Sequence, residues 1–334
     1  MAALGGHIDA CDGCGNLSIS YNSCRNRHCP KCQGKNREDW IAKREEELLP
    51  VPYFHVVFTL PEAINHLCMH SPKAVYDILF KASWATLKIF GKNKDMQMGM
   101  IGLLHTWGQN LSLHPHLHCI VPGGGLSEAG DWQNSRKDGK FLFSVKAISK
   151  VFRAKFCEKL KQKMPIKYQK IRSGLWAKSW VVFAKRPFGS SKSVVEYLGR
   201  YSHKIAISNH RIRNIDAQNV TFSYKDYRTG GQNKTMALSH EEFIRRFALH
   251  ILPKGFVKIR HYGLLSSTWK RNKLKVLQAS LGIKLAEKGE KVPFVRRCSC
   301  CKVGVLHTIA VFDNRGPPVW YIGASQNGFS CPAG

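Results

Sequence analysis

Apolar residues along the chain change their spacing several times, and each change predicts an element. "EDWIAKREEELLP" (38–50) has helical composition and stops at Pro50. "YFHVVFTLP" (53–61) is an apolar, β-branched run that predicts a strand in a sheet core. Between 63 and 94, Val75, Ile78, Leu79, Ala82, Leu87 and Phe90 recur at helical spacing. "MGMIGLLHTWG" and "LSLHPHLHCIVPGG" predict two adjacent strands joined at Gly108–Asn110, the second ended by Pro122 and three glycines. The polar stretch 127–140 reads as an exposed loop.

Further along, "FLFSVKAISKVFRAKFCEKLKQK" predicts a short strand followed by a basic amphipathic helix. "WAKSWVVFAKRPFG" is another strand candidate, and "SKSVVEYLGRYSHK" reads as a helix with serines available to cap its start. Alternation in "KIAISNHRI", "NVTFSYKDY" and "KTMALS", with a turn at Gly230–Gly231, predicts a β-rich patch. Ser239 and Glu242 then form a capping box for "HEEFIRRFALHIL", and 254–292 is basic and partly helical. The sum is an α+β chain: a central, mainly antiparallel sheet flanked by helices, preceded by a small cysteine-rich module. Three regions follow: 1–40, 51–215 and a basic 216–334.

Charge sharpens the picture. Lys and Arg number 52 against 22 Asp and Glu, a net +30 in 334 residues. Such an excess repels itself in a compact state and is tolerated where the partner is a polyanion. Aromatic residues are interleaved with the basic ones, as at Trp269–Lys270–Arg271, a mixture suited to single-stranded nucleic acid. No apolar run approaches the ~18–20 residues of a bilayer-spanning helix. The start shows no basic segment followed by an apolar one, so a cytoplasmic protein with no membrane partner is expected.

Five of the twelve cysteines lie between 11 and 32. Cys11-x2-Cys14 and Cys29-x2-Cys32 are two thiolate knuckles, and four thiolates satisfy a structural zinc ion. Cys24 and His28 are left over; with His7 they are candidates for a second ion. Cys298, Cys300 and Cys301, with Cys331 beyond them, form a second cluster of irregular spacing, equally readable as another zinc site or as free thiols.

His114, His116 and His118 alternate, so on a strand they share one face, and imidazole is the commonest protein ligand of transition metals. A metal strand in a basic protein suggests phosphodiester chemistry. The attacking group is sought in "SVVEYLGRYSHK", where Tyr197 and Tyr201 stand one helical turn apart. A phenol that attacks phosphorus conserves the bond energy in a phosphotyrosine.

With these residues in place, the chain resembles the two-tyrosine HUH transposases of insertion-sequence family 91, which move by a rolling-circle route. The resemblance spans nearly the whole chain and rests on "YNSCRNRHCPKCQ", "VVFTLP", "HPHLHCIVPGGG", "YLGRYSHKIAISN" and "LPKGFVKIRHYGLL". It implies an HUH nuclease domain in which His116 and His118 hold a catalytic Mg2+ or Mn2+. His114 is a candidate third ligand, with Gln109, His105 and Glu196 weaker ones. It implies attack by Tyr197 or Tyr201, a 5′-phosphotyrosine, and a 3′-hydroxyl left for the host replication machinery. The DNA is expected as single-stranded or hairpin transposon ends, bound by the zinc module and by Arg25, Arg27, Lys31, Lys204 and Arg211. A nucleoid-associated protein is therefore expected. Family members carry further sequence ahead of "LGGH", so the resemblance also implies a zinc module shortened at its start. Rival readings are a non-catalytic zinc-dependent nucleic-acid binder, a relaxase or replication initiator of the same superfamily, and a hydrolytic metallonuclease.

Overall fold

Strands whose side chains alternate between two buried faces organise the larger part of the molecule. The computed structural model describes residues 4–24, 26, 28–29, 40–137, 140–185, 188, 193–194, 197, 199, 205–282 and 295–321. The chain begins with β1 (Gly6–Cys11) and β2 (Leu17–Tyr21), and β3 (Tyr53–Thr59) opens the central sheet. Next come α1 (Asn65–His70), α2 (Pro72–Lys92), β4 (Gly99–Trp107), β5 (Leu113–Pro122), and a small hairpin of β6 (Gly124–Leu126) and β7 (Trp132–Asn134). Helices α3 (Val145–Lys163) and α4 (Pro165–Ala177) lead to β8 (Val182–Ala184). Strands β9 (Ile212–Ile215), β10 (Asn219–Asp226) and β11 (Gln232–Ser239) precede α5 (His240–Ala248), β12 (Ile259–Gly263), α6 (Ser267–Ser280) and β13 (Leu306–Phe312).

The central sheet runs β12-β4-β5-β3-β8, antiparallel throughout. Register sets its two faces. His105 stands opposite His116, Leu103 and Val57 opposite His118, and His55 and Ile101 opposite Ile120. These residues share one face, because directly paired residues point the same way. The other face carries Val56, Phe58, Leu104, Leu117, Cys119 and Val121, buried against Tyr76, Leu79 and Phe80 of α2 and Phe152 and Phe156 of α3. On the histidine face, Ile101, Leu103 and Ile120 pack with Leu274 and Leu277 of α6 and with Val194. About four helical turns of apolar spacing in α2 and a continuous apolar run in β3 are thus explained together. A second sheet, β11-β10-β9, backs onto α5, whose start Ser239 caps by accepting the Glu242 amide.

Several expectations are corrected. Phe141–Phe143 is not a strand; Leu142 and Phe143 pack into the core without pairing. Helix α4 occupies 165–177, where Pro165 sits at its first position and only Tyr168 and Leu175 are buried, too few to show a period. Among the described residues of 176–189, strand covers Val182–Ala184. The loop at 127–140 contains β7, and 254–292 contains β12, a half-buried edge strand without an apolar pattern. Residues 205–208 are not strand; the β-patch begins at Ile212.

The chain forms two units, Gln33–Leu285 and a smaller one made from both ends, Met1–Cys32 with Ala286–Gly334. In the smaller unit β1 lies between β2 and β13, so the carboxy-terminal strand completes the amino-terminal sheet. Asp9 on β1 is 1% exposed and receives both terminal nitrogens of Arg296 at 2.7 Å and the Thr308 hydroxyl at 2.7 Å. Burial alone would raise its pKa; the Thr308 and Arg296 bonds outweigh this and hold it below the ordinary value. Among the described residues no helix is long and apolar enough to cross a membrane.

Candidate active site and metal clusters

His116 and His118 come from alternate positions of β5 and His105 from the facing position of β4. Their ligand atoms lie within 4.8 Å of one another, and the Nε2 atoms of His116 and His118 are 3.1 Å apart. Two ligands at right angles on an ion with bonds of about 2.1 Å stand about 3.0 Å apart, so the pair fits a divalent cation. Nδ1 of His116 lies 2.7 Å from the His114 carbonyl, to which it donates when Nε2 is the ligand. His105 and His118 are buried and His116 is half-buried, which limits rotation of the rings.

His114 does not join this group. It is exposed at the start of β5, beside a register shift between β4 and β5, with its ring 5.2 Å from that of His116. The third histidine is His105, which the linear spacing had ranked below His114. Gln109 lies in the turn ahead of the strand, and Glu196 lies outside the described residues.

A fourth histidine extends the cluster. His55 of β3 brings Nε2 to 2.8 Å from Nδ1 of His118, and its Nδ1 is 3.4 Å from Oη of Tyr197. Burial, helped by the Lys185 charge, pushes the His55 pKa down to about 4, so the ring is neutral near pH 7. The Tyr197 ring packs on Phe188, and the Lys185 ammonium stands 5.5 Å from its centre. Sequence reasoning missed His55. Its one signal was a polar residue inside an apolar strand, and only the pairing with β5 shows which face it shares. Tyr201 and Lys204 lie outside the described residues, as do Arg25, Arg27 and Lys31.

The turn before the histidine strand is clamped. Arg211 donates to the Gln109 carbonyl, Arg246 to that of Asn110 at 3.3 Å, and His250 Nε2 to that of Leu111 at 3.1 Å. Leu111 is fully buried with φ of 62°, a left-handed conformation that costs a leucine on the order of 1–2 kcal/mol and needs such support. Arg211 also donates to the carbonyls of Ser223 and Ala206. Its guanidinium thus ties the turn to the carbonyls of residues 206 and 223.

His250 accepts from Thr106 Oγ1 on its other nitrogen, and burial lowers its pKa from 6.5 to about 4. The unfolded chain then binds more protons than the folded one between these values. Stability is intact above pH 6.5 and falls as the pH drops toward 4, by about 3 kcal/mol for this residue. Thermal melts between pH 7.5 and 4.5 should show the decline, with a shallower slope in His250→Gln. An unchanged slope in that variant would rule out this contribution.

In the terminal unit, Cys11 and Cys14 meet Cys298 and Cys301. The Sγ pairs Cys11–Cys301 and Cys14–Cys298 are 3.6 and 3.8 Å apart, and all four lie within 4.8 Å. A tetrahedron with Zn–S bonds of about 2.3 Å has edges of about 3.8 Å, so the four sulfurs fit zinc. Backbone N–H groups of Gly304 and Val303 draw the Cys301 thiol down to about 6. A Cβ on Gly304 would stand 2.4 Å from Cys11 Sγ, so the knuckle needs glycine there.

Among the described residues Cys11 and Cys14 meet Cys298 and Cys301, whereas the linear spacing pointed to Cys29 and Cys32. The pair they meet comes from the far end because β13 zips against β1, with Cys11 opposite Leu306. Cys29 is half-buried, Cys24 exposed and His28 half-buried, while Cys32 and Cys331 lie outside the described residues. His7 contacts Arg296 and Asp9 at 3.0 and 3.4 Å.

Comparison with known proteins identifies the family. Residues 99–273 match the family model described as "Putative transposase" (Y2_Tnp), and residues 1–60 match the IS91-type transposase zinc-binding domain. A protein of Sinorhizobium fredii (strain NBRC 101917 / NGR234), described as "Putative transposase y4qJ", is 42% identical over 95% of this chain and 88% of its own length. The transposase for insertion sequence element IS801 of Pseudomonas savastanoi pv. phaseolicola is 28% identical over 76% of this chain and 65% of its own. A bacterial tRNA(His) guanylyltransferase (Thg1)-like protein in complex with ATP aligns over 66% of this chain and 99% of its own. It does so at 10% identity with a TM-score of 0.23, too slight a likeness to bear on the fold.

Proposed function

The chain belongs to the IS91-type transposases, and from that premise we propose that it nicks and rejoins single-stranded DNA at transposon ends through a phosphotyrosine intermediate. One observation carries the reading: a phenol, Tyr197, reaches a buried histidine cluster whose three ligand atoms fit one divalent cation. Mg2+ or Mn2+ held by His105, His116 and His118 would polarise the scissile phosphate.

Tyr197 or Tyr201 supplies the nucleophile. Its oxygen bonds to phosphorus and its proton goes to solvent. The bond from phosphorus to the 3′ oxygen breaks, and that oxygen takes a proton to leave as a 3′-hydroxyl for the host polymerase. The 5′ phosphate stays on tyrosine until another 3′-hydroxyl attacks it and releases the phenol. Lys185 would place a positive charge beside the Tyr197 ring, where an anionic phosphate approaches. The second tyrosine would take a second transfer without hydrolysis. The zinc module and the basic segment at Arg25, Arg27 and Lys31, with Lys204, would hold the DNA end. The work would take place at the nucleoid, in the cytoplasm.

The test incubates the full chain with Mn2+ and labelled single-stranded oligonucleotides bearing the ends of the element that encodes it. A denaturation-resistant adduct, lost on chelation and mapped to Tyr197 or Tyr201, is expected. Free 5′-phosphate ends without adduct would indicate a hydrolytic nuclease, and binding without cleavage a non-catalytic module.

A further inference from the structure

His55 holds two functional groups at once. One ring nitrogen meets His118 at 2.8 Å and the other meets the Tyr197 oxygen at 3.4 Å, while the ring stacks on His118 with centroids 5.0 Å apart. It is 3% exposed on the middle run of β3, and its backbone carbonyl accepts the Lys185 amide, so neither strand nor ring has room to turn. The ring of Tyr197 lies edge-on to that of His55 at 5.1 Å.

The direction of the hydrogen bonds follows from ligand chemistry. A neutral imidazole carries one N–H. With Nε2 of His118 turned toward a cation, Nδ1 carries the hydrogen and donates to Nε2 of His55. The hydrogen of His55 is then on Nδ1, facing the Tyr197 oxygen, which accepts. One residue thus both orients a metal ligand and holds the phenol oxygen.

We propose that His55 is a positioning residue that couples the metal ligand His118 to the nucleophile Tyr197, setting their separation through its two ring nitrogens. This rests on the proposed function above, with the cation on His105, His116 and His118 and attack by Tyr197. Outer-shell partners of metal ligands typically carry about 10–100-fold in metal affinity or activity. Misplacing a reacting atom by about 1 Å costs about 100-fold in rate.

The experiment separates the two contacts. His55→Gln places an amide near the Nε2 position, and His55→Asn places one near Nδ1. Mn2+ affinity is read by electron paramagnetic resonance on the DNA-free full chain, and the rate of Tyr197 adduct formation at saturating Mn2+ on the oligonucleotide above. His55→Gln should keep Mn2+ affinity within about threefold while the adduct rate falls about tenfold or more. His55→Asn should weaken Mn2+ about tenfold while retaining more of the saturated rate than His55→Gln. His55→Ala should lose both.

Equal effects of Gln and Asn on both readouts would overturn the proposal, as would wild-type behaviour in His55→Ala. A variant that melts far below the wild type is counted against it, because a purely structural residue behaves so. His116→Ala is the separate control. Unchanged Mn2+ binding there means the metal-site reading has failed rather than the role of His55.

Discussion

His116→Ala and His118→Ala are each expected to abolish metal-dependent cleavage while oligonucleotide binding stays within about threefold of the wild type. With Nε2 atoms 3.1 Å apart, removal of either ring opens the cation site. Lewis-acid polarisation is worth several kcal/mol, so the rate should fall by about 10³-fold or more. Affinity for DNA comes instead from Lys and Arg neutralising phosphates, and the net charge of +30 is untouched by either change. Parallel loss of binding and cleavage would mean that the histidines serve the fold alone. Tyr197→Phe completes the test: it should remove the adduct mapped to that residue with no change in Mn2+ binding. If Tyr197→Phe combined with Tyr201→Phe still forms a covalent adduct, the nucleophile lies elsewhere.

Substituting Cys298 or Cys301 with serine should remove one equivalent of zinc from the purified chain and unfold the terminal unit. Structural zinc contributes on the order of 10 kcal/mol to a small domain at neutral pH, more than a unit with so little core can replace. The same loss is expected for Cys11→Ser and Cys14→Ser, because the four sulfurs form one cluster. Zinc is measured by atomic absorption. Unfolding is followed by limited proteolysis, which should attack the segments around 6–21 and 295–321. Cys29→Ser discriminates. If it removes the equivalent bound by Cys11 and Cys14 while Cys298→Ser does not, the ligands are those nearest in sequence, and the close approach of Cys298 and Cys301 has another cause.

How much of this was legible beforehand can be followed residue by residue. β3, α2, β4, β5 and α3 announced themselves because each buries an apolar stripe or run that appears in the sequence, and α5 through the capping box at Ser239 and Glu242. The edge strand β12 and helix α4 did not, since a half-buried element carries no strong period. The His116/His118 pair was readable because a strand's repeat of two guarantees a shared face. His114 looked equivalent by the same rule, yet it sits at the strand's exposed start, where the register with β4 shifts.

The sequence by itself determined the local facts: strand and helix periods, a paired histidine motif, two tyrosines four positions apart, cysteine knuckles, and a charge suited to a polyanion. These depend on residues within a few positions of each other, so backbone geometry alone dictates them. Only the tertiary structure decided which distant groups meet. His105 and His55 join His118 because β4 and β3 flank β5 in one register, and Cys298 and Cys301 reach Cys11 and Cys14 because β13 pairs with β1. Strand pairing is a long-range choice made by the burial of whole faces. No spacing in the linear chain records it.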